Sequence, residues 1–202
     1  RECRCWPWLA TANIDTLDMI QKSIAGNRYC LNMVINGTQY GDIATSANKD
    51  SVSTTRGYRQ MKQRIEAFTD PGGKSGYKVQ SVKRDPGTEF LGEMKSAMAE
   101  DNIIDVAGEV NRHTENAIVE NRHRILQNMS ATMSITAFEG EHEQSEELTT
   151  AAWDEVQATA SQLMNHTCIT ETQKRAGVTA AEEQSCAQAT RWPGTGLWVR
   201  GH

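Results

Sequence analysis

Aromatic side chains are scarce in this 202-residue chain, at 6%, and a hydrophobic fraction of 38% is low for a globular protein. The core must therefore rely on Ile, Val, Leu, Met and Ala, an economy that a mostly helical protein tolerates best. No apolar run approaches the roughly 18 residues that span a bilayer, which excludes a transmembrane helix. The five cysteines, Cys3, Cys5, Cys30, Cys168 and Cys186, lack a second closely spaced Cys or His pair, so no zinc site is expected. No Ser/His/Asp or Cys/His arrangement marks a nucleophile, and neither internal repeats nor low-complexity tracts occur. A net charge of -5 argues against a protein that coats nucleic acid generally, although a local basic patch exists.

The cysteines that are present leave the compartment open. Two bridges with one thiol left over suit an oxidising environment, with Cys168 and Cys186 placed to staple a C-terminal helical hairpin. Five buried free thiols fit the count as well. Position 1 is Arg rather than Met, as in a processed or trimmed chain, and the extracytoplasmic reading is slightly favoured. Sequons at Asn36, Asn128 and Asn165 do not decide it, because a chain this rich in Asn, Ser and Thr makes such matches by chance.

The organising stretch runs from Asp101 to about Ala137 and reads as one long amphipathic helix. On a helical wheel Ile104, Ala107, Asn111, Thr114, Ile118, Ile125, Met129 and Thr132 fall within about 40° of Ile118, with Arg122 at the edge. Glu109, His113, Asn116, Glu120, His123 and Gln127 lie opposite, so the helix is expected to bury its apolar stripe and leave its ionisable groups in water.

Around it the chain divides readily. Residues 1–10, with Trp6, Pro7 and Trp8, form an irregular arm. Ile14, Leu17, Ile20 and Ile24 keep helical spacing, and Asn13 as N-cap with Gly26 as stop predicts a helix over 13–25. Tyr29 to Ile35 is rich in strand formers, and Asn36-Gly37 suits a type I′ turn, which predicts a β-hairpin over 29–43. Residues 44–55 lack an apolar period and read as a surface loop. Tyr58, Met61, Ile65 and Phe68 line a helix over about 56–68, ended by Asp70-Pro71-Gly72-Gly73. Tyr77 to Lys83 suits a third strand, and Asp85-Pro86 opens a helix carrying Phe90, Leu91, Met94 and Met98. Asp101-Asn102 is a plausible break. A wide apolar arc predicts a helix over about 146–165 packed between two neighbours. The 101–165 region is thus a central helical hairpin, and Trp192-Pro193 leads into an irregular tail over 190–202.

Several motifs compete as sites. Glu120 with His123 and Glu139 with His142 repeat the Glu-x-x-His spacing of carboxylate-bridged di-iron bundles, but Glu120 and His123 lie opposite the apolar stripe and Gly140 places the second match in a connection. Gly72-Gly73-Lys74-Ser75 imitates the end of a phosphate-binding loop, yet Phe68 occupies the position of the required first glycine. Glu139, Glu141, His142, Glu143, Glu146 and Glu147 are crowded enough to raise one another's pKa, as a hydrolase or weak cation site would need; a solvated acidic loop at a helix N-terminus needs no ligand and is the preferred reading.

The strongest long-range signal is charge segregation. Arg56, Arg59, Lys62, Arg64, Lys74, Lys78, Lys83 and Arg84 face only two acids, Glu66 and Asp70, within 56–84. The 139–155 stretch holds seven acids and no Lys or Arg. The fold expected is α+β and predominantly helical: one domain over 1–202, a helical bundle around the central helix with a small antiparallel β-hairpin. The function expected is a non-enzymatic assembly protein, extracellular or particle-associated, that self-associates through the basic 56–84 and acidic 139–155 regions. The alternatives are a nucleic-acid-binding module using the basic segment and a hydrolase using glutamates near Glu141. No cofactor or metal is expected.

Overall fold

The structure, a computed structural model, describes residues 11–67, 78–108, 117–138, 151–167 and Thr179. The 1–10 arm, the Cys168–Cys186 staple and the 190–202 tail lie outside these residues. In chain order the elements are β1 (Thr11–Asp18), β2 (Tyr29–Ile35), β3 (Gly41–Ser46), α1 (Ser51–Ala67), β4 (Ser81–Arg84), a 3-10 turn at Thr88–Phe90, α2 (Glu93–Glu100), β5 (Ile104–Ala107), α3 (Ala117–Phe138) and α4 (Trp153–Asn165). The five strands form one sheet in the order β3-β2-β1-β4-β5. The first three strands pair antiparallel, and β1, β4 and β5 run parallel.

The expected helical bundle is therefore replaced by a mixed sheet with helices on both faces. Ala12, Ile14, Leu31, Met33, Ile35 and Val82 meet Tyr58, Met61 and Ile65 of α1 and Met94 and Met98 of α2 in one core. On the other face Cys30 and Ile43 meet Ile125, Leu126 and Met129 of α3 and Trp153, Ala160 and Met164 of α4. A sheet covered on both sides buries both sets of alternating side chains, and so conceals the simple period that a half-exposed sheet would show.

The predicted 13–25 helix is the clearest reversal. Ile14 is fully buried in β1, while Ile20 and Ile24, which should have shared its stripe, are exposed in the loop that follows. The strand wins because β1 is hydrogen-bonded along both edges, to β2 and to β4, and tertiary pairing overrides a short local period. The 29–43 hairpin is present, but a five-residue loop joins its strands, with Gly37 at φ 91° and Gln39 at φ 59° in place of a two-residue turn. The 44–55 loop shrinks to four residues, since β3 runs to Ser46 and α1 begins at Ser51. Asp50 caps α1 by accepting from the Ser53 N–H at 2.7 Å. The third strand appears as β4, beside β1 rather than beside the hairpin's outer edge.

The expected central helix is broken. Asn102, at φ 55°, takes the left-handed position that ends α2, and the Ile103 N–H bonds to the Met98 carbonyl at 2.8 Å. The β-branched Ile103, Ile104 and Val106 then enter an edge strand against β4. Within α3 the buried positions are Val119, Arg122, His123 and Leu126. That face is turned by about 90° from the one centred on Ile118. Two polar residues occupy core positions, which is why counting apolar side chains aims the helix wrongly.

Arg122 is the reason α3 and α4 sit where they do. Its guanidinium is 2% exposed and donates to the Gln39 carbonyl at 3.2 Å, the Ser161 hydroxyl at 2.9 Å and the Asn165 side-chain oxygen at 3.3 Å. Burial lowers its pKa to about 10, so it remains charged near neutrality. Asn165 in turn accepts from the Gly41 N–H at 3.0 Å and donates to the Gly41 carbonyl at 2.8 Å, tying the end of α4 to the start of β3. With both ends of its amide engaged and 6% of its surface exposed, Asn165 is not a glycosylation acceptor in the folded chain.

A Cβ on Gly41 would lie 2.5 Å from Arg122 Nε and 2.9 Å from the Met33 carbonyl oxygen. Gly41→Ala is therefore expected to destabilise the fold by about 1–3 kcal/mol through overpacking, and Ile14→Ala by about 2–5 kcal/mol through a cavity. Urea unfolding followed by tryptophan fluorescence measures both; a Gly41→Ala midpoint equal to the parent's would show that Arg122 is free to move aside.

Candidate active site

Alternation along β1 settles where its acid points. Ala12 and Ile14 enter the core under α1 and α2, and Leu17 enters the opposite cluster, so Asn13 and Asp15 face α3. Parallel pairing places Ile14 opposite Arg84, so Asp15 and Asp85 follow side by side where the β1–β4 ladder stops, Asp85 just past the carboxyl end of β4 and Asp15 midway along the longer β1. In open α/β sheets the crevice outside such strand ends is where ligands bind. Glu120 comes from the first turn of α3, and His123, one turn further along the same helix, stands with Nδ1 3.5 Å from Asp15 Oδ2.

Asp15 registers this crowding. Burial first, and then the charges of Asp85 and Glu120, push its pKa up to about 6, against the Thr16 N–H bond at 2.8 Å and the attraction of Lys49. His123 moves the other way: burial and the neighbouring Arg122 lower it to about 4. The contact between Asp15 and His123 is consequently never a salt bridge, because the imidazole acquires its charge only after the carboxylate has lost its own. Asn32, paired with Asp15 across β1 and β2, is fully buried with neither amide atom hydrogen-bonded, and His123 Nε2 is likewise buried without a partner. Unsatisfied polar atoms around a half-buried acid are costly for folding and mark a place shaped for something else.

The turn after β4 fixes two more groups. Gly87 N–H donates to Asp85 Oδ1 at 3.2 Å, and the buried Glu89 carboxylate receives Lys49 Nζ at 3.1 Å. A Cβ on Gly87 would lie 2.6 Å from Glu89 Oε2 and 3.0 Å from Asp85 Oδ1, so glycine is what lets both carboxylates stand beside this turn. Among the described residues, no three His, Cys, Asp or Glu side chains stand close enough to grip a metal ion as they are placed.

The residues singled out by charge have other occupations. Arg59 pairs with Glu100 at 3.1 Å, Lys62 with Glu66 at 3.0 Å and Asp101 at 3.5 Å, and Arg64 with Asp42 at 2.5 Å. Arg84 is 4% exposed and bidentate to Asp105, with both bonds at 2.8 Å. Arg56 lines a shallow pocket of about 290 Å³ on α1, across the sheet from Asp15. Lys83 lies in β4, Lys78 is exposed just before it, and Lys74 falls outside the described residues, as do Glu139, Glu141, Glu143, Glu146 and Glu147. The structure thus brings Arg59, Lys62, Arg64 and Arg84 onto Asp42, Glu66, Glu100, Asp101 and Asp105, none of them in the 139–155 stretch.

Reading the chain as sequence missed Asp15, Asp85, and the inward face of α3. Asp15 falls inside the segment whose spacing predicts a helix over 13–25, Asp85 opens another predicted helix, and His123 is placed with the exposed Glu120 on the wetted face although it is buried. The usable signal was an acid inside a β-branched and apolar alternation, Ala12 to Leu17, and a second acid directly after the next strand.

No family model matches the chain, and no curated protein matches it. Solved structures do. The catalytic core domain of BIV integrase superposes with a TM-score of 0.63 at 15% identity, covering 91% of this chain and 98% of that one. A chain of the simian T-cell lymphotropic virus intasome in complex with PP2A regulatory subunit B56 gamma gives 0.65 at 12% identity, over 95% of this chain and 58% of that one. The HTLV-2 integrase catalytic core domain in complex with magnesium gives 0.58 at 13%, over 84% and 92%. At these identities the likeness is one of fold: the chain adopts an α/β fold like that of an integrase catalytic core.

That finding overturns the expected non-enzymatic, extracellular assembly protein, whose reasoning required a helical bundle with its ionisable groups wetted. It also removes support for a secreted, disulfide-bridged chain. Cys30 is a free thiol buried in β2, pushed up to about 12 by burial, and no disulfide occurs among the described residues. No helix among the described residues is long and apolar enough to cross a membrane.

Because the folded state raises the pKa of Asp15, its stabilising contribution is full below about pH 4 and is lost as pH rises through about 6. His123 has the opposite sign: its contribution is present above pH 6.5 and is lost as pH falls through about 4. Between these limits the two slopes oppose one another. In chelator-treated protein, Asp15→Asn is expected to be more stable than the parent by about 2 kcal/mol at pH 7, with that advantage gone by pH 4. Urea midpoints across the range provide the measurement, and a difference that does not vary with pH would mean that Asp15 titrates normally.

Proposed function

We propose that this chain is a nucleic-acid-processing catalytic domain of the integrase type, acting on phosphodiesters through Asp15, Asp85 and Glu120. The observation that carries the reading is a half-buried Asp15, its pKa raised first by burial and then by the charges of Asp85 and Glu120, which come from the end of β4 and the first turn of α3. A perturbed acid beside further carboxylates in a crevice of an α/β sheet is a usual mark of a working site. The fold likeness to integrase cores, one of them described with magnesium, supports the same class.

The donor set fits a hard divalent cation. Carboxylate oxygens are what such ions take, and mutually repelling acids are relieved by one, so Asp15, Asp85 and Glu120 would hold it. When bound, the ion polarises a phosphoryl oxygen and makes an attacking hydroxyl a stronger nucleophile. The chain's own residues prepare the place. The Thr16 N–H holds Asp15 Oδ1, and neutral His123 lies against Oδ2, so the carboxylate is oriented without being neutralised by a fixed cation. The Gly87 N–H holds Asp85 in the same way. Val119, buried beside Glu120, anchors the first turn of α3 against the sheet.

Nucleic acid is accordingly the proposed partner. Within the basic 56–84 segment, Arg56 and Lys78 are exposed.

Asp15→Asn, Asp85→Asn and Glu120→Gln are each expected to lower magnesium- or manganese-dependent DNA strand cleavage or joining by about 10²–10³-fold or more while leaving the circular dichroism spectrum unchanged. Gel assays on labelled duplex ends read this. Full activity in any of the three would remove that residue from the site, and full activity in all three would end the proposal.

A further inference from the structure

One cation stands among these acids, and the residues that hold it are not the ones that do the proposed chemistry. Lys49 lies in the four-residue connection from β3 to α1, immediately before the Asp50 cap. The connection is fastened on its far side as well: the Ser51 hydroxyl donates to the Leu91 carbonyl and accepts from the Met94 N–H at 3.2 Å. Lys49 is therefore presented by a fixed loop. Its Nζ lies 3.1 Å from Oε1 of Glu89, a carboxylate 6% exposed, while the lysine side chain itself is 40% exposed. Glu89 Oε2 and Asp85 Oδ1 flank one point beside Gly87, 2.6 Å and 3.0 Å from where its Cβ would lie, so the ammonium on Glu89 stands next to Asp85 as well. Burial works against its charge, and the charges of Glu89, Asp85 and Asp15 together outweigh that effect.

An ammonium has three donors and no acceptor, and Glu89 engages one of them. The others remain for a ligand arriving from solvent, in a place where negative charge would otherwise repel a phosphate. A polyanionic substrate approaching Asp15, Asp85 and Glu120 needs such a countercharge, because like charges drawn together cost several kcal/mol unless a cation intervenes. Lysine serves phosphate as a point charge. Glu89 keeps it from collapsing onto Asp15 or Asp85.

We propose that Lys49, held by buried Glu89, is the residue that contacts a backbone phosphate of the nucleic acid at the Asp15–Asp85–Glu120 site. The assignment rests on the reading of that site as phosphodiester chemistry. Lys49 is a substrate-binding residue, and Glu89 is the positioning residue that holds it.

The test is fluorescence anisotropy of a labelled DNA duplex with the full chain in calcium, over a potassium chloride series, for the parent, Lys49→Ala, Lys49→Arg and Glu89→Gln. Lys95→Ala, on α2 across the sheet, controls for loss of one exposed charge. Loss of one phosphate contact should lower the slope of log affinity against log salt by about 0.9 in Lys49→Ala, with a several-fold weaker affinity at low salt. Lys49→Arg should restore the slope, Glu89→Gln should weaken binding with less effect on the slope, and Lys95→Ala should match the parent.

Lys49→Ala with the parent's affinity and slope overturns the assignment. So does a Lys49→Ala protein that binds manganese more tightly and DNA equally well, which would make the lysine a countercharge to the acids and nothing more. If Asp15→Asn abolishes cleavage while Lys49→Ala binds as the parent does, the lysine assignment fails alone. If the parent binds no DNA at any salt, both readings fail together.

Discussion

The double pairing of β1 is the constraint from which the remaining geometry follows. With β2 antiparallel along one edge from Ala12 to Asp18 and β4 parallel along the other from Thr11 to Ile14, the register of the strand is held from both sides, and its side chains have two destinations. Ala12 and Ile14 are sent to the α1 and α2 core, and Asp15 to the side where α3 lies. A shift of one residue in register would exchange these fates, burying a carboxylate under Met61 and Met94 and leaving Ile14 to face His123. The same pairing marks the change from antiparallel to parallel strands, which leaves Asp15 and Asp85 side by side where the β1–β4 ladder stops.

What keeps α3 in position is a buried cation rather than an apolar stripe. Arg122 donates to three neutral oxygens, from Gln39, Ser161 and Asn165, while Asn165 clasps the backbone of Gly41. A desolvated guanidinium without a hydrogen-bonded carboxylate is a poor way to add stability, but it is demanding about geometry. Few arrangements of β3, α3 and α4 satisfy it. The arrangement that does also places Glu120 and His123, which flank Arg122 on the helix, over Asp15.

Charge is distributed with a similar economy. The cations of 59–84 that pair with described acids are drawn onto Asp42, Glu66, Glu100, Asp101 and Asp105, where they clip α1 to β3 and α2 and join β4 to β5. Exposed pairs of this kind contribute little to stability, whereas the buried Arg84–Asp105 pair helps define which strand lies at the sheet edge. The acids of the candidate site receive Lys49 as their nearby cation. Asp15 accordingly rests with a raised pKa beside a neutral histidine, a state that favours the arrival of a cation or of a proton.

Local signals were legible where the structure is local. The apolar line of Tyr58, Met61 and Ile65 on α1 and the methionines of α2 could be read from spacing, because each of these helices buries one face against one core. The hairpin over 29–43 and the strand before Arg84 showed instead through strand-forming residues and turn signals, although β2 is covered on both faces. Where both faces are covered, the period is lost, and Ile14 and Leu17 imitated a helix. In α3 the buried face includes Arg122 and His123, so a wheel weighted by apolarity turned the helix about a quarter-turn and set both Glu120 and His123 in water, although of the two only Glu120 is exposed. The sequence by itself determined which residues carry charge, which segments favour helix or strand, and that no long apolar span exists. Only the tertiary structure decided that Asp15 lies within the electrostatic reach of Asp85 and Glu120, because their approach depends on strand register and on a buried arginine, and neither leaves a trace in the spacing of residues along one element.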